Sequence, residues 1–411
     1  PDTPVLVELR RRLGLADAIT IGAGSMIGAG VFTAWAPAAD AAGRALLIGL
    51  VIAAAVALCN AMSSAQLAAL HPESGGTYVY ARYRLGPAWG HLAGWGFVVG
   101  KTASSAAMAL AVGAYVWPAH QRLAAVLAVL IITAVNLGGL ERTALVTRWL
   151  LACSLLALAA VVVAGWSSDG TSLANLTPLD AGLPDILRSA GFLFFAFAGY
   201  ARIATLGEEV VDPDVTIPKA ITRALAFVLV VYAIVGVTAV ASTPIDVLAG
   251  SDAPLKAVVD GSPMDALAPV VGIGAAIASL GVLLNLIPGV ARTALAMARR
   301  NELPAPLAHV DRRRSHPVRA ELAVVAVVLV LVVVVELRSA IALSGVAVLT
   351  YYAITNAAAF TLPPDERRWP RWICVAGAIG CVALAVFLPL EVVIVGTAVL
   401  LLGVVIRRLW L

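Results

Sequence analysis

The stretch Gly22-Ala23-Gly24-Ser25-Met26-Ile27-Gly28-Ala29-Gly30 lies in the middle of an otherwise apolar run from residue 15 to residue 37. A run of that length and character is long enough to cross a bilayer as a helix. Glycines this dense at mid-depth weaken the helix and permit it to unwind. Unwound backbone at membrane depth is tolerated only where it lines a cavity inside the protein. The same residues also suit close helix packing, because Gly24-x-x-x-Gly28 has the small-residue spacing. A dinucleotide-binding loop is excluded, since no strand precedes the glycines and no βαβ unit surrounds them.

Working outward, the whole chain has the same apolar character. Of 411 residues, 61% are hydrophobic and 13% are charged, with a mean hydropathy of +0.96. Soluble domains are about half apolar and a quarter charged, so lipid must solvate most of this surface. Apolar segments fall at 15–37, 45–69, 90–117, 121–140, 144–165, 185–207, 219–243, 265–298, 318–337, 339–361, 371–388 and 390–409, which makes twelve. The first continues into the glycine motif rather than a cleavage site, and we expect it to be retained as a span.

Lys and Arg set the orientation. With the N-terminus inside, inner connections and termini hold 21 of the 28 basic residues and outer connections hold five: Arg44, Arg122, Arg188, Lys256 and Arg338. Both termini are therefore expected to be cytoplasmic, in a multi-pass protein of the cell membrane. The pI of about 9.0 is a topology signal and not a nucleic-acid footprint. Arg312-Arg313-Arg314 fits contact with anionic lipid headgroups. The four cysteines have no metal or disulfide spacing, and Cys59, Cys153 and Cys381 read as small buried hydrophobes. His71, His91, His120, His309 and His316 are scattered, so no metal site, cofactor or catalytic pair is expected. The sequon Asn175-Leu176-Thr177 carries no weight without a glycosylating compartment.

The sixth span reads FLFFAFAGYARIATLGEEV from Phe192, with Gly199 at mid-span followed by Tyr200 and Arg202. Spans one and six correspond if helices 1–5 and 6–10 form two inverted repeats. A matched pair of interrupted helices is the best sequence pointer to a transporter site.

Four motifs, in order, carry a family resemblance. They are GAGSMIGAGVF in span one and Pro72-Glu73-Ser74-Gly75-Gly76-Thr77-Tyr78 with Gly94-Trp95. FFAFAGY with Glu208-Glu209, Asp212-Pro213 and Ile217-Pro218 comes next, then Arg292-Thr293-Ala294-Leu295-Ala296-Met297-Ala298-Arg299 with Leu303-Pro304. From about residue 13 to residue 310 the chain resembles the amino acid–polyamine–organocation superfamily. The resemblance implies an all-α membrane protein of twelve transmembrane helices with the LeuT-type fold. Its 5+5 inverted repeat has broken helices 1 and 6 and is followed by two C-terminal helices. The chain would then form a single transporter domain over 1–411, with a first repeat over 13–165, a second over 185–361, and helices 11 and 12 over 371–409.

A zwitterion needs donors for its carboxylate and acceptors for its ammonium, and broken helices supply both without a formal charge. The carboxylate is expected on amides near Gly28, Ala29 and Gly30. The family pattern, carried across, puts the ammonium on carbonyls near Met26 and Ile27 and on those of Phe195, Ala196 and Ala198, beside Gly199. The substrate side chain would face Ser104, Ser105 and Met108 of span three, Phe197 of span six and Asn285 of span eight. Each of these residues also suits plain helix packing.

Lys101 and Arg202 are charges inside spans, which makes them functional candidates. Some proton-coupled relatives place a Lys in span five, where this chain has Ser154. Lys101 is then a substitute coupling charge, or else snorkels to the inner surface. Arg202 would contact substrate or pair with Glu208 or Glu209. Sodium-coupled members use paired hydroxyls on span eight, and Leu286–Ala291 contains none.

These features together give alternating-access transport of a neutral L-amino acid, proton-coupled as symporter or antiporter, or else a sodium-independent exchanger or uniporter. Partners are the amino acid and membrane lipid, with no nucleic acid and no obligatory protein partner. A membrane-embedded enzyme would need a midplane catalytic constellation, and a channel would need rings of polar residues; neither is present in the sequence.

Overall fold

Apolar sequence in a bilayer satisfies its backbone by closing hydrogen bonds within each segment, which favours helices throughout. The computed structural model describes residues 13–71, 75–138, 144–177, 180–204, 209–311 and 317–410. Pro72, Glu73, Ser74, Arg142, Glu208, Arg312, Arg313, Arg314 and His316 lie outside the described residues. Among the described residues there is no strand beyond an isolated parallel bridge between Leu13 and Val210.

The glycine-rich stretch unwinds. Helix α1 (Leu15–Met26) ends at Ile27, which has ψ 70°, and Gly28 is extended with φ −120° and ψ −152°. The chain then resumes as α2 (Ala29–Thr33) and α3 (Trp35–Ala42). After α4 (Leu46–Leu70) comes a short surface helix, α5 (Thr77–Leu85). Long spans follow as α6 (Pro87–Val116), α7 (Gln121–Leu137) and α8 (Ala144–Trp166).

The second half repeats the device. Helix α9 (Leu183–Phe197) stops at Ala198, and one short turn, α10 (Ala201–Ala204), follows. Next come α11 (Pro213–Ser242), the short α12 (Ile245–Gly250) and α13 (Pro254–Asp260), and α14 (Ala268–Ala298). The chain closes with α15 (Val318–Val334), α16 (Leu337–Phe360), α17 (Arg371–Val386) and α18 (Leu390–Trp410).

Among the described residues, nine helical stretches are long and apolar enough to cross a membrane. With the shorter α9, α15 and α17 the twelve expected crossings are present. Helices α6 and α11 start earlier than their apolar runs, at Pro87 and Pro213, because proline suits a helix's first position and a polar first turn is still helix. Two further helices, α12 and α13, form in a connection that apolar-run counting does not register.

Helix α6 sits at the centre, packed against α14 and α16, while α1 packs on α11 and α8, and α4 on α9. Small residues allow this, since Gly94, Gly96 and Gly100 of α6 all meet neighbouring chain. Residues such as Val51, Leu156 and Val334 point outward as lipid-facing surface. The two ends of the bundle differ in character. At one end Arg148 pairs with Asp17 at 2.5 Å, Arg82 with Glu302 at 2.5 Å and Arg84 with Glu366 at 3.4 Å. At the other, Arg44 donates to the Thr177 carbonyl, Arg122 to that of Val333, and Arg338 pairs with Asp40 at 3.4 Å.

Candidate functional site

The two breaks face each other. A Cβ on Gly30 would stand 2.6 Å from Ala196 Cα, and one on Gly199 would run into the Ser25 carbonyl. Only bare backbone permits this approach. Between and below the breaks lies a cavity of about 320 Å³. Its walls include Met26 and Gly30 of the first break, Phe195, Ala196, Ala198 and Gly199 of the second, and Lys101, Ser104, Met108 and Asn285. The lining continues to Tyr78, Arg202, Glu209, Arg292 and Arg299, with Arg292 and Arg299 exposed at its mouth.

Tyr115 Oη donates to the Phe32 carbonyl at 2.5 Å and accepts the Leu255 amide at 3.2 Å, and the Phe32 and Tyr115 rings meet edge-on at 5.8 Å. Helices α2, α6 and α13 are thereby joined through Tyr115.

Helix breaks free carbonyl oxygens, and side chains answer them. Tyr232 Oη lies 2.7 Å from the Met26 carbonyl and 3.0 Å from that of Ala196, bridging the two breaks. The Ala198 carbonyl accepts from Lys101 Nζ at 3.1 Å and from Tyr352 Oη at 3.3 Å. Lys101 is 7% exposed. Its ammonium is directed into the cavity wall and does not snorkel to a surface.

Of the sequence-derived residues, Ile27, Gly28, Ala29, Ser105, Phe197 and Ser154 lie off the lining. Ser105 Oγ donates to the Lys101 carbonyl and Ser154 Oγ to that of Leu150, both within their own helices. Phe197 packs on Tyr232, with ring centroids 5.0 Å apart. Sequence reasoning overlooked Tyr232, Tyr352, Tyr351, Phe97 and Val282. A tyrosine in an apolar span is the available signal, because its hydroxyl must find a partner there.

Below the mouth, Glu302 closes a second cluster. It accepts from Tyr78 Oη at 2.9 Å and Arg82 at 2.5 Å, and His91 Nδ1 lies 3.6 Å away. Burial alone would raise the Glu302 carboxyl, but the contacts from His91, Tyr78 and Arg82 and the Arg82 charge outweigh it and hold the group below the ordinary carboxylate range. Burial, then the Glu302 charge, pushes Tyr78 up to about 12.

Residues 13–406 match the model of a family described as amino acid permease. The chain belongs to that family. The permease is 57% identical over 398 residues to the uncharacterized transporter Rv1999c of Mycobacterium tuberculosis (strain H37Rv), covering 97% of this chain and 90% of the relative. It is 25% identical over 335 residues to the branched-chain amino acid permease BcaP of Bacillus subtilis (strain 168), covering 75% and 72%. It is 27% identical over 386 residues to the chloroplastic cationic amino acid transporter 7 of Arabidopsis thaliana, covering 86% and 66%. The permease is thus a multi-pass amino acid transporter of the amino acid–polyamine–organocation superfamily and not an enzyme.

Proposed function

We propose that the permease carries a neutral L-amino acid by alternating access, coupled to protons, in a cell membrane with both termini cytoplasmic. The observation that carries this reading is the pair of helix breaks meeting across one cavity. Bare backbone at Gly30, which lines the cavity at the first break, takes the substrate carboxylate. The ammonium goes to carbonyls at the breaks, and the side chain lies against Met108, Phe97, Phe195 and Val282, with Asn285 at the edge. In this reading Tyr115, Phe32 and Leu255 close the far side and the cavity opens to the cytoplasm. The two halves act as inverted repeats of the LeuT type, and the second state opens the Tyr115 seal.

Charge favours a neutral substrate over a cationic one. Among the described residues the lining carries Lys101, Arg202, Arg292 and Arg299 but the single acid Glu209, at the mouth. A cationic side chain would meet repulsion without a partner. The branched-chain substrates named for the Bacillus relative suit the apolar wall better than the cationic ones named for the Arabidopsis relative. The deciding test is a competition panel of the twenty amino acids against labelled L-leucine in proteoliposomes. Neutral amino acids should compete and also accelerate efflux from the trans side. Competition led by Lys and Arg would overturn the reading.

A further inference from the structure

A substrate ammonium needs oxygen lone pairs, and the deep part of the cavity has carbonyls rather than carboxylates. Those carbonyls are already engaged. The Met26 carbonyl accepts the Gly28 amide at 2.8 Å and lies 2.7 Å from Tyr232 Oη, which also lies 3.0 Å from the Ala196 carbonyl. The Ala198 carbonyl differs in being held by a cation, Lys101 Nζ, at 3.1 Å. Lys101 therefore occupies, from α6, the position on broken helix six where an amino acid would place its own ammonium. Two ammonium groups on one buried oxygen repel strongly, and among the described residues the lining brings no carboxylate except Glu209 at the mouth to offset it.

We propose that the substrate ammonium and the charged form of Lys101 exclude each other, so the permease is a proton/amino acid antiporter. This rests on the proposed amino acid site. On binding, the Lys101 ammonium gives its proton to water at the cavity mouth and stays as a neutral amine. The zwitterion's ammonium takes over the Ala198 carbonyl, and because the zwitterion is net neutral the site carries one positive charge fewer, the charge that left with the proton. On the return half-cycle Lys101 is reprotonated from the other side. Proton and amino acid thus cross in opposite directions, and an inward proton force drives the amino acid outward.

Among the described residues, the cavity lining offers tyrosines, arginines and Glu209 beside Lys101, while the buried carboxyl Glu321 of α15, a helix that also packs on α6, lies off that lining. From α16 the groups facing Lys101 are Tyr351 and Tyr352, from the second break Tyr200 and Arg202, and from α5 Tyr78; α14 offers Arg292 and Arg299 at the mouth, beside Glu209. From α1, α2 and α7 no charged side chain lines the cavity among the described residues.

The test titrates the purified full chain in weak buffer with whichever of the twenty L-amino acids binds most tightly. The proton balance is read by calorimetry in two buffers of different ionisation enthalpy. The expected result is release approaching one proton per amino acid bound. Lys101→Met should bind without release. Lys101→Arg should bind at least tenfold more weakly, because a guanidinium keeps its proton and cannot be displaced as a neutral group. In proteoliposomes, an acid interior should drive uptake of the same amino acid. Binding accompanied by proton uptake, or with no proton change, overturns the inference while leaving the transport reading intact, as does wild-type affinity in Lys101→Arg. Failure of every amino acid to bind sinks the transport reading and this inference with it.

Discussion

At the scale of single residues, a methyl group probes the helix breaks. A Cβ on Gly30 would press on Ala196 backbone at 2.6 Å, whereas one on Gly289, also lining the cavity, would meet nothing within 4 Å. Gly30→Ala should therefore weaken amino acid binding at least about tenfold, about 1.4 kcal/mol, with Gly289→Ala folded and close to wild type in thermal-shift titration. Equal substrate stabilisation of Gly30→Ala and wild type would show that the close approach is irrelevant to the site. The glycines and Lys101 were legible in the sequence because bare backbone and formal charge are conspicuous in an apolar run. Tyr232 was not, since one hydroxyl serving two breaks follows from where α11 packs against α1 and α9. Its single proton can serve the Met26 or the Ala196 carbonyl at any moment, so the two breaks share one donor.

At the scale of elements, the short helix α5 is fastened at the cavity mouth. Thr77 bonds to Thr355 at 2.7 Å and donates its amide to Tyr351 Oη at 3.2 Å, while Tyr78 and Arg82 reach Glu302 beyond α14. Asn301, at φ 58°, lets the chain turn so that the Glu302 amide closes back on the Met297 carbonyl at 3.0 Å. Because the Glu302 carboxyl is held below its ordinary range, its contribution is fully present above about pH 4.5 and is lost as pH falls through the lowered value. Glu302→Gln should destabilise the protein by about 2 kcal/mol at neutral pH, and its deficit relative to wild type should shrink in acid. A deficit that stays constant down to about pH 3, well below the ordinary carboxylate range, would mean that an ionised Glu302 is not the fastening group. Spans were legible as apolar runs, and both helix breaks as glycines within them. The starts of α6 and α11 were not, because a charged or proline-led first turn is helical without being apolar. Neither α5 nor the pair α12 and α13 carries a hydropathy signal, and Glu302 is an ordinary loop acid until folding buries it.

At the scale of the molecule, the fold gathers its two broken elements around the continuous central helix α6, with spans such as α7, α8 and α18 on the outside. The apolar spans were readable from composition, but the arrangement around the cavity was not. That depends on Tyr115 reaching both Phe32 and Leu255, contacts between residues far apart in the chain. The coupling ion is a property at this scale, because it must bind in one state of the whole cycle and leave in the other. A sodium ion held at the first break would need oxygen ligands from α14, where Leu286–Ala291 has no hydroxyl. The nearest hydroxyls on that helix turn inward on their own backbone, Ser279 to Ala275 and Thr293 to Gly289, and Ser25 of α1 does the same to Ile21. The carbonyls of Met26 and Ala196, which could coordinate a cation at unwound helix ends, face the Tyr232 hydroxyl instead. Replacing sodium by potassium at fixed pH and membrane potential should accordingly leave the initial rate of amino acid flux unchanged within error. A steep rise with sodium would require a cation site that α14 does not provide, and would shift the coupling role away from Lys101.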